Sequence, residues 1–311
     1  MQTQVAVHTI IPMLLLTGAG VLARRFEILS AGDDRVLNAY LYYFALPALF
    51  IADLSETSFD GPHLTYILAN MLPALLALGI FGILYFLLHF SRAVLVLLIV
   101  STSLGSFNLF GIPFVIFAFS SQETENIAAL TAAAASAVGV SMTLAALELY
   151  RLNTDTIRTG ARKILSNLLR NPLILSIAGG CLLSIMGVQI PQPLSRPLHM
   201  MGVTTAPVAL FMLGAFLYGR RYKNIASASA LTVLRMLFMP LIALMLARAF
   251  NVSGPDLTIM VLMHSMPVAV TLIVLSERYN FYRETIASLV LISSVSAVLY
   301  LPVWYLILQQ K

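Results

Sequence analysis

Charge is what this chain has least of. Only 10% of its 311 residues are Asp, Glu, Lys or Arg, while 59% are hydrophobic, and the mean hydropathy is +0.92. A soluble domain carries about a quarter of its residues as charges, so this composition excludes one and defines a polytopic membrane protein. Cysteine is nearly absent as well. Cys181 stands alone, which excludes an intrachain disulfide and a multi-cysteine metal site, and in its apolar setting it reads as a small packing residue. Enzyme signatures are missing: there is no HExxH, no GxxxxGK[ST] and no GxSxG, and His8, His63, His89, His199 and His264 lie far apart in the chain. The reading is a protein without catalysis, cofactor or bound metal. The N-terminal MQTQVAVHTIIP has no basic residues ahead of its apolar run, so the first span is expected to be retained rather than cleaved.

What is present is apolar sequence in lengths suited to a bilayer. Spans of roughly 20 apolar residues are predicted near 5–24, 35–54, 63–89, 93–120, 127–150, 172–189, 197–219, 225–250, 256–277 and 284–308. Ten spans leave no room for a soluble domain. Lys and Arg fall lopsidedly, with Arg24, Arg92, the stretch Arg151 to Arg170 and Arg220 to Lys223 on one side, and only Arg196, Arg235, Arg248 and Lys311 elsewhere. The richer side is cytoplasmic. Both termini are then extracytoplasmic, 151–171 is a cytoplasmic loop, and the excess of positive charge reflects topology, not nucleic-acid binding.

Two of these spans have centres that a plain membrane helix would not tolerate. STSLGSFNLFGIPFVIFAFS (101–120) carries Gly105, Ser106, Asn108, Gly111 and Pro113 at mid-length, and 256–276 carries His264-Ser265-Met266-Pro267. In hydrocarbon every backbone N–H and C=O must be satisfied internally, so breakers gather at mid-depth where a helix is interrupted and lines an enclosed cavity. A break is expected at Asn108 to Pro113, and another around His264 to Pro267.

The prolines also set a repeat. Pro12 and Pro47 recur 160 residues later as Pro172 and Pro207, and Pro73 and Pro113 correspond at slightly different offsets to Pro240 and Pro267. ALPALFIADL (45–54) resembles TAPVALFMLG (205–214), and MLPALLALGI (71–80) resembles FMPLIALMLA (238–247). An odd number of spans per half inverts the second copy, so 1–150 and 172–311 read as two inverted five-helix repeats flanking the loop 151–171. Inverted repeats with broken helices at matching places are a transporter signature, with the binding site near the midplane where the breaks meet.

Taken in order, Leu37-Asn38 with Ala45-Leu46-Pro47-Ala48-Leu49, Gly111-Ile112-Pro113, Arg170-Asn171-Pro172 with Gly179-Gly180, Ala206-Pro207 through Leu213-Gly214-Ala215, Met266-Pro267 with Tyr279, and Leu301-Pro302 resemble the auxin efflux carrier family. That family includes the PIN-formed auxin exporters of plants and bacterial carriers of malate-like or malonate-like anions. The resemblance runs along nearly the whole chain. It implies an all-α fold of ten transmembrane helices with crossed discontinuous helices, similar to the sodium/proton antiporter architecture, divided into a scaffold domain and a transport domain. The family usually has an asparagine five residues before the glycine of its GIP-like motif; Ser106 stands there in this sequence, and Asn108 two residues later.

The candidate substrate-binding residues are therefore Ser106, Asn108, Gly111, Ile112, Pro113, His264, Ser265, Met266 and Pro267. Each helix N-terminus carries about half a positive charge, so two of them aimed at the centre suit an anion. His264 is the ionisable side chain placed near mid-membrane in the ninth span; its ordinary pKa of about 6.5 would let it titrate if water reached it, and its bland alternative is a packed, hydrogen-bonded ring. Arg235 is expected to snorkel toward the cytoplasmic headgroups, with pairing to a carboxylate as the alternative. Asp53, Glu148, Glu277 and Arg278 are expected at the interface. The expected function is a secondary transporter moving a small organic anion, auxin-like or malate-like, across the plasma or inner membrane by alternating access. The alternative is a sensor that keeps the fold and binds without transporting. Coupling to a proton or sodium, and assembly as a homodimer in the lipid bilayer, stay open at this stage.

Overall fold

The computed structural model describes residues 2–30, 32–56, 61–119, 121–151, 166–167, 169–218 and 224–309. Among them every regular element is a helix: α1 (Gln2–Arg25), α2 (Asp34–Tyr40), α3 (Leu46–Ser55), α4 (Gly61–Leu88), α5 (Arg92–Ser103), α6 (Ile112–Phe119), α7 (Gln122–Arg151), α8 (Pro172–Ile185), α9 (Gln192–Gly202), α10 (Thr205–Leu217), α11 (Ile225–Ala249), α12 (Gly254–His264), α13 (Thr271–Tyr279) and α14 (Arg283–Gln309). Four helical stretches among the described residues, 35–55, 64–88, 130–151 and 225–249, are long and apolar enough to cross a membrane by length and composition. A fifth is reached by α14, whose parts 283–297 and 299–308 meet at a bend of 52°. Pro302 explains that bend, because its missing N–H and its ring disrupt the turn holding the carbonyl of residue 298. Large apolar side chains also face outward, among them Leu75, Ile83, Phe86, Met245 and Leu299, on a scale that a water-facing monomer rarely shows.

Prolines leave a second mark. Turns of π-helix cover Leu41–Ala45 and Phe107–Gly111, and each runs directly into a residue followed by proline. Leu46 N–H donates to the Leu41 carbonyl and Ile112 N–H to the Phe107 carbonyl, five residues back in both cases. Pro47 and Pro113 have no N–H to give, so the preceding turn widens and keeps the helix continuous.

The helices pack in two groups. In one, α1 lies along α10, α3 lies along α8 and α9, and α2 meets α10. Glycines permit the close approach: a Cβ at Gly214 would sit 1.8 Å from the Thr17 carbonyl oxygen, and one at Gly20 would sit 1.9 Å from the Phe211 carbonyl oxygen. In the other group α4, α5, α7, α11, α12 and α14 surround one another. Gly139 of α7 does the same service there, since its Cβ would meet the Ser103 carbonyl at 2.4 Å. Both halves of the chain contribute to both groups in the same order, first to the glycine-seamed group and then to the other.

Candidate functional site

The second group holds two interrupted helices. α5 stops at Ser103, Leu104 turns extended at φ −100° and ψ 105°, and helix resumes at Phe107. Hydroxyls tighten the last turn of α5: Thr102 Oγ1 donates to the Leu98 carbonyl at 2.7 Å and Ser103 Oγ to the Ile99 carbonyl at 2.5 Å. Such back-bonding draws on the chain's own carbonyls and favours a helix end. The break thus falls at Leu104–Ser106, not at Asn108 to Pro113 as the sequence suggests. Proline is well tolerated once the helix has started again, and the π turn absorbs it, so Asn108 to Pro113 form the opening turns of the second half-helix. On the other side α12 ends at His264 and α13 begins at Thr271.

The two breaks cross and bond to each other. Gly105 and Val268 form an isolated antiparallel bridge, in which Ser106 N–H donates to the Pro267 carbonyl at 2.8 Å and Ala269 N–H to the Leu104 carbonyl at 3.0 Å. Val268 N–H finds the Ser293 hydroxyl of α14 at 3.2 Å. Backbone groups released by interrupting two helices are therefore exchanged between them, which is what a water-poor interior demands.

Arg235 completes the junction. It comes from α11, is 2% exposed, and reaches both breaks: Nε donates to the Met266 carbonyl at 2.9 Å and Nη1 to the Thr102 carbonyl. Nη2 fills the space a side chain at Gly105 would need, lying 2.6 Å from where that Cβ would be. The expected snorkelling is overturned, because a long guanidinium finds ready acceptors at the ends of α5 and α12 and has no need of the headgroups. The sequence signal was an arginine inside the apolar run 225–249.

Of the residues singled out from sequence, Ser106, Gly111, Ile112, His264, Ser265, Met266 and Pro267 lie at or beside this junction. Ser106, 5% exposed, touches Pro267 through the backbone bond. Gly111 lies against Met263 and Met266, a Cβ there meeting the Met263 sulfur at 2.7 Å, and Ile112 packs against the apolar cluster that contains Phe107, Ile259 and Met263. The side chains of Asn108 and Pro113 lie outside the described residues. His264, 2% exposed, holds the Met260 carbonyl through Nδ1 at 3.0 Å and stands edge-on to Phe107 with centroids 6.0 Å apart; the Asn70 main chain of α4 also faces it. Enclosure on all these sides separates the ring from water. Ser265 Oγ donates back to the Leu262 carbonyl at 2.6 Å. The electrostatics follow from direction: α5 and α12 bring C-terminal, partially negative ends to the centre, while the half-helices starting at Phe107 and Thr271 bring N-terminal, partially positive ones.

A second polar cluster ties the two helix groups together. Glu148 of α7, expected at an interface, is 5% exposed and accepts from Tyr279 Oη at 2.8 Å and Asn167 Nδ2 at 2.8 Å. Asn171, which caps α8 by accepting from Leu173 N–H at 2.9 Å, donates to Tyr42 Oη at 2.8 Å. Arg278 stacks over Tyr42 and Tyr43, 5.2 Å from each ring centroid.

Crossed, interrupted helices inside an apolar helical bundle define a membrane transport protein, and sequence comparison agrees. The family model described as membrane transport protein matches residues 5–305, so the chain belongs to that family, and its resemblance to the auxin efflux carriers stands. It is similar to "Uncharacterized transporter YfdV" of Escherichia coli (strain K12), 23% identical over 305 residues that make up 95% of each chain. It is 22% identical over 309 residues to "Uncharacterized transporter MJ1031" of Methanocaldococcus jannaschii, covering 96% of this chain and 98% of that one. A "Putative malonate transporter" of Rhizobium meliloti (strain 1021) is 26% identical over 130 residues, 41% of each chain.

Proposed function

We propose that the protein is a secondary carrier of a small carboxylate or dicarboxylate, working by alternating access around the crossover. One observation carries this reading: the antiparallel junction of two interrupted helices at Gly105 and Val268, which aims two half-helix N-termini at one enclosed place. Such ends favour anions, and broken helices near the midplane are where carriers of this architecture bind their cargo. The malonate in the name of the Rhizobium meliloti relative fits that chemistry. In this reading the ten predicted spans form two inverted repeats, 1–150 and 172–311. Supporting it, each half gives its first helices to the glycine-seamed group and its later ones to the group holding the crossover. The glycine-seamed group is then the scaffold and the other the moving body. Ser106, Asn108, Gly111, Ile112, Pro113 and His264 to Pro267 would line the cargo path. Both termini would be extracytoplasmic and 151–171 cytoplasmic, in a plasma or inner membrane.

The test is uptake of labelled malonate, malate, succinate and indole-3-acetate into proteoliposomes holding the purified protein. Saturable uptake of at least one above protein-free vesicles supports a carrier. Binding of one of them, seen as a thermal shift, with no uptake in either direction, supports a sensor instead.

A further inference from the structure

We propose that Arg235 is the resident cation of the crossover, holding the carbonyl oxygens that a coupling cation would otherwise use, so that the carrier works without sodium. This rests on reading the crossover as the cargo site.

Interrupting a helix leaves carbonyls without partners at the C-terminal side of the break. In carriers of this architecture such unwound carbonyls and half-helix C-termini are what coordinate a coupling ion. Here they are already engaged. Thr102 O, in the last turn of α5, and Met266 O, just past the end of α12, both accept from the Arg235 guanidinium. Among the described residues its hydrogen-bond partners are these carbonyls and no carboxylate. The charges also match. Two C-terminal ends of about half a negative charge each offset one guanidinium, which cannot lose its proton in a protein. An inorganic ion would have to displace a covalently tethered one that is 2% exposed. Gly105 belongs to the same device: with any side chain at that position the guanidinium could not lie where Nη2 does, 2.6 Å from the site of the missing Cβ. With the negative ends neutralised by a fixed charge, the positive N-termini at Phe107 and Thr271 are left to face the anion. Arg235 thereby acts as a positioning residue, setting the electrostatic sign of the site through the helices it holds.

Melting of the purified full-length protein in detergent tests this without any cargo. Wild type should melt at the same temperature in sodium, potassium or choline chloride of equal concentration. Arg235→Ala should melt several degrees lower and regain part of that loss in low-millimolar methylguanidinium, which wild type should ignore. Arg235→Lys, keeping the charge, should stay closer to wild type than the uncharged Arg235→Met. Selective stabilisation of wild type by sodium would overturn the proposal, as would equal melting of the Lys and Met variants. If Arg235→Ala does not accumulate, the Lys and Met pair decides: recovery of the Lys variant alone supports the proposal, and equal recovery of both overturns it. In proteoliposomes, malonate uptake should be equal in sodium and choline. Absence of malonate uptake by wild type counts against malonate as cargo, and leaves the melting result standing.

Discussion

The two groups of helices solve the same problem in opposite ways. Along α1 and α10 the backbone is continuous, its hydrogen bonds are internal, and glycines let one helix lie on the carbonyls of the other. Around the crossover the helices are interrupted, and their backbone groups are satisfied by the opposite break, by Ser293 and by Arg235. The first arrangement is complete when two helices touch. The second is complete only when the two breaks, Arg235 and Ser293, four separate parts of the chain, are all in place. A seam of the first kind tolerates no bulk but needs no particular chemistry. A junction of the second kind tolerates little chemical change, and offers charged backbone ends that a seam of continuous helices cannot.

This contrast gives a ranking of damage. Arg235→Met should be the most harmful substitution, because it strands two buried carbonyls at about 1–3 kcal/mol each; thermal unfolding in detergent measures it, and an unchanged melting temperature would dissolve the distinction between the groups. Gly214→Ala should cost about 1–3 kcal/mol, since α1 must retreat from a Cβ placed 1.8 Å from the Thr17 carbonyl. Gly179→Ala, where nothing lies within 4 Å, should instead gain about 0.5–1 kcal/mol from helix propensity. Equal behaviour of these two alanines would mean that the seam is not held by close approach. Tyr279→Phe removes the bond to Glu148 inside the crossover group, together with the hydroxyl that Asn171 of the other group approaches at 3.5 Å, and should lower stability by about 0.5–1.5 kcal/mol. If that bond also latches one end state of the carrier, the variant's Vmax changes while its KM is kept. The smallest effect belongs to His264→Gln. Glutamine can still donate to the Met260 carbonyl, so stability should stay within about 1 kcal/mol of wild type, and the enclosed ring predicts an unaltered pH profile of uptake. A profile that flattens in the variant would return His264 to the role of a titrating group.

The helical, membrane-spanning character was legible because membrane segments announce themselves by length and hydropathy, and the interrupted helices because Gly, Ser and Pro in the middle of such segments have few other uses. Pro267 marked the second break well. The location of the first break was legible only to within a turn: Pro113 drew attention toward itself, while the interruption sits at Leu104–Ser106, where Ser and Thr back-bonding ends α5. A proline says where an N–H is missing and not how the preceding turn will compensate. Arg235 was harder to read, because its role depends on carbonyls 133 and 31 residues away, and main-chain acceptors have no letter in a sequence. The partners of Glu148 were unreadable for the same reason, since Tyr279 and Asn167 reach it only through tertiary packing.

Whether an anion passes where the broken helices cross is decided by uptake of labelled carboxylates into proteoliposomes by wild type and Asn108→Leu side by side. Asn108 stands in the opening turn of the second half-helix. A hydrogen bond given from that position to a bound carboxylate would be worth about 1.5–3 kcal/mol. Wild type should show saturable uptake and the variant a KM raised by roughly one to two decades, with both proteins folding to the same yield. Wild-type kinetics in Asn108→Leu for every transported anion would place the path elsewhere in the protein.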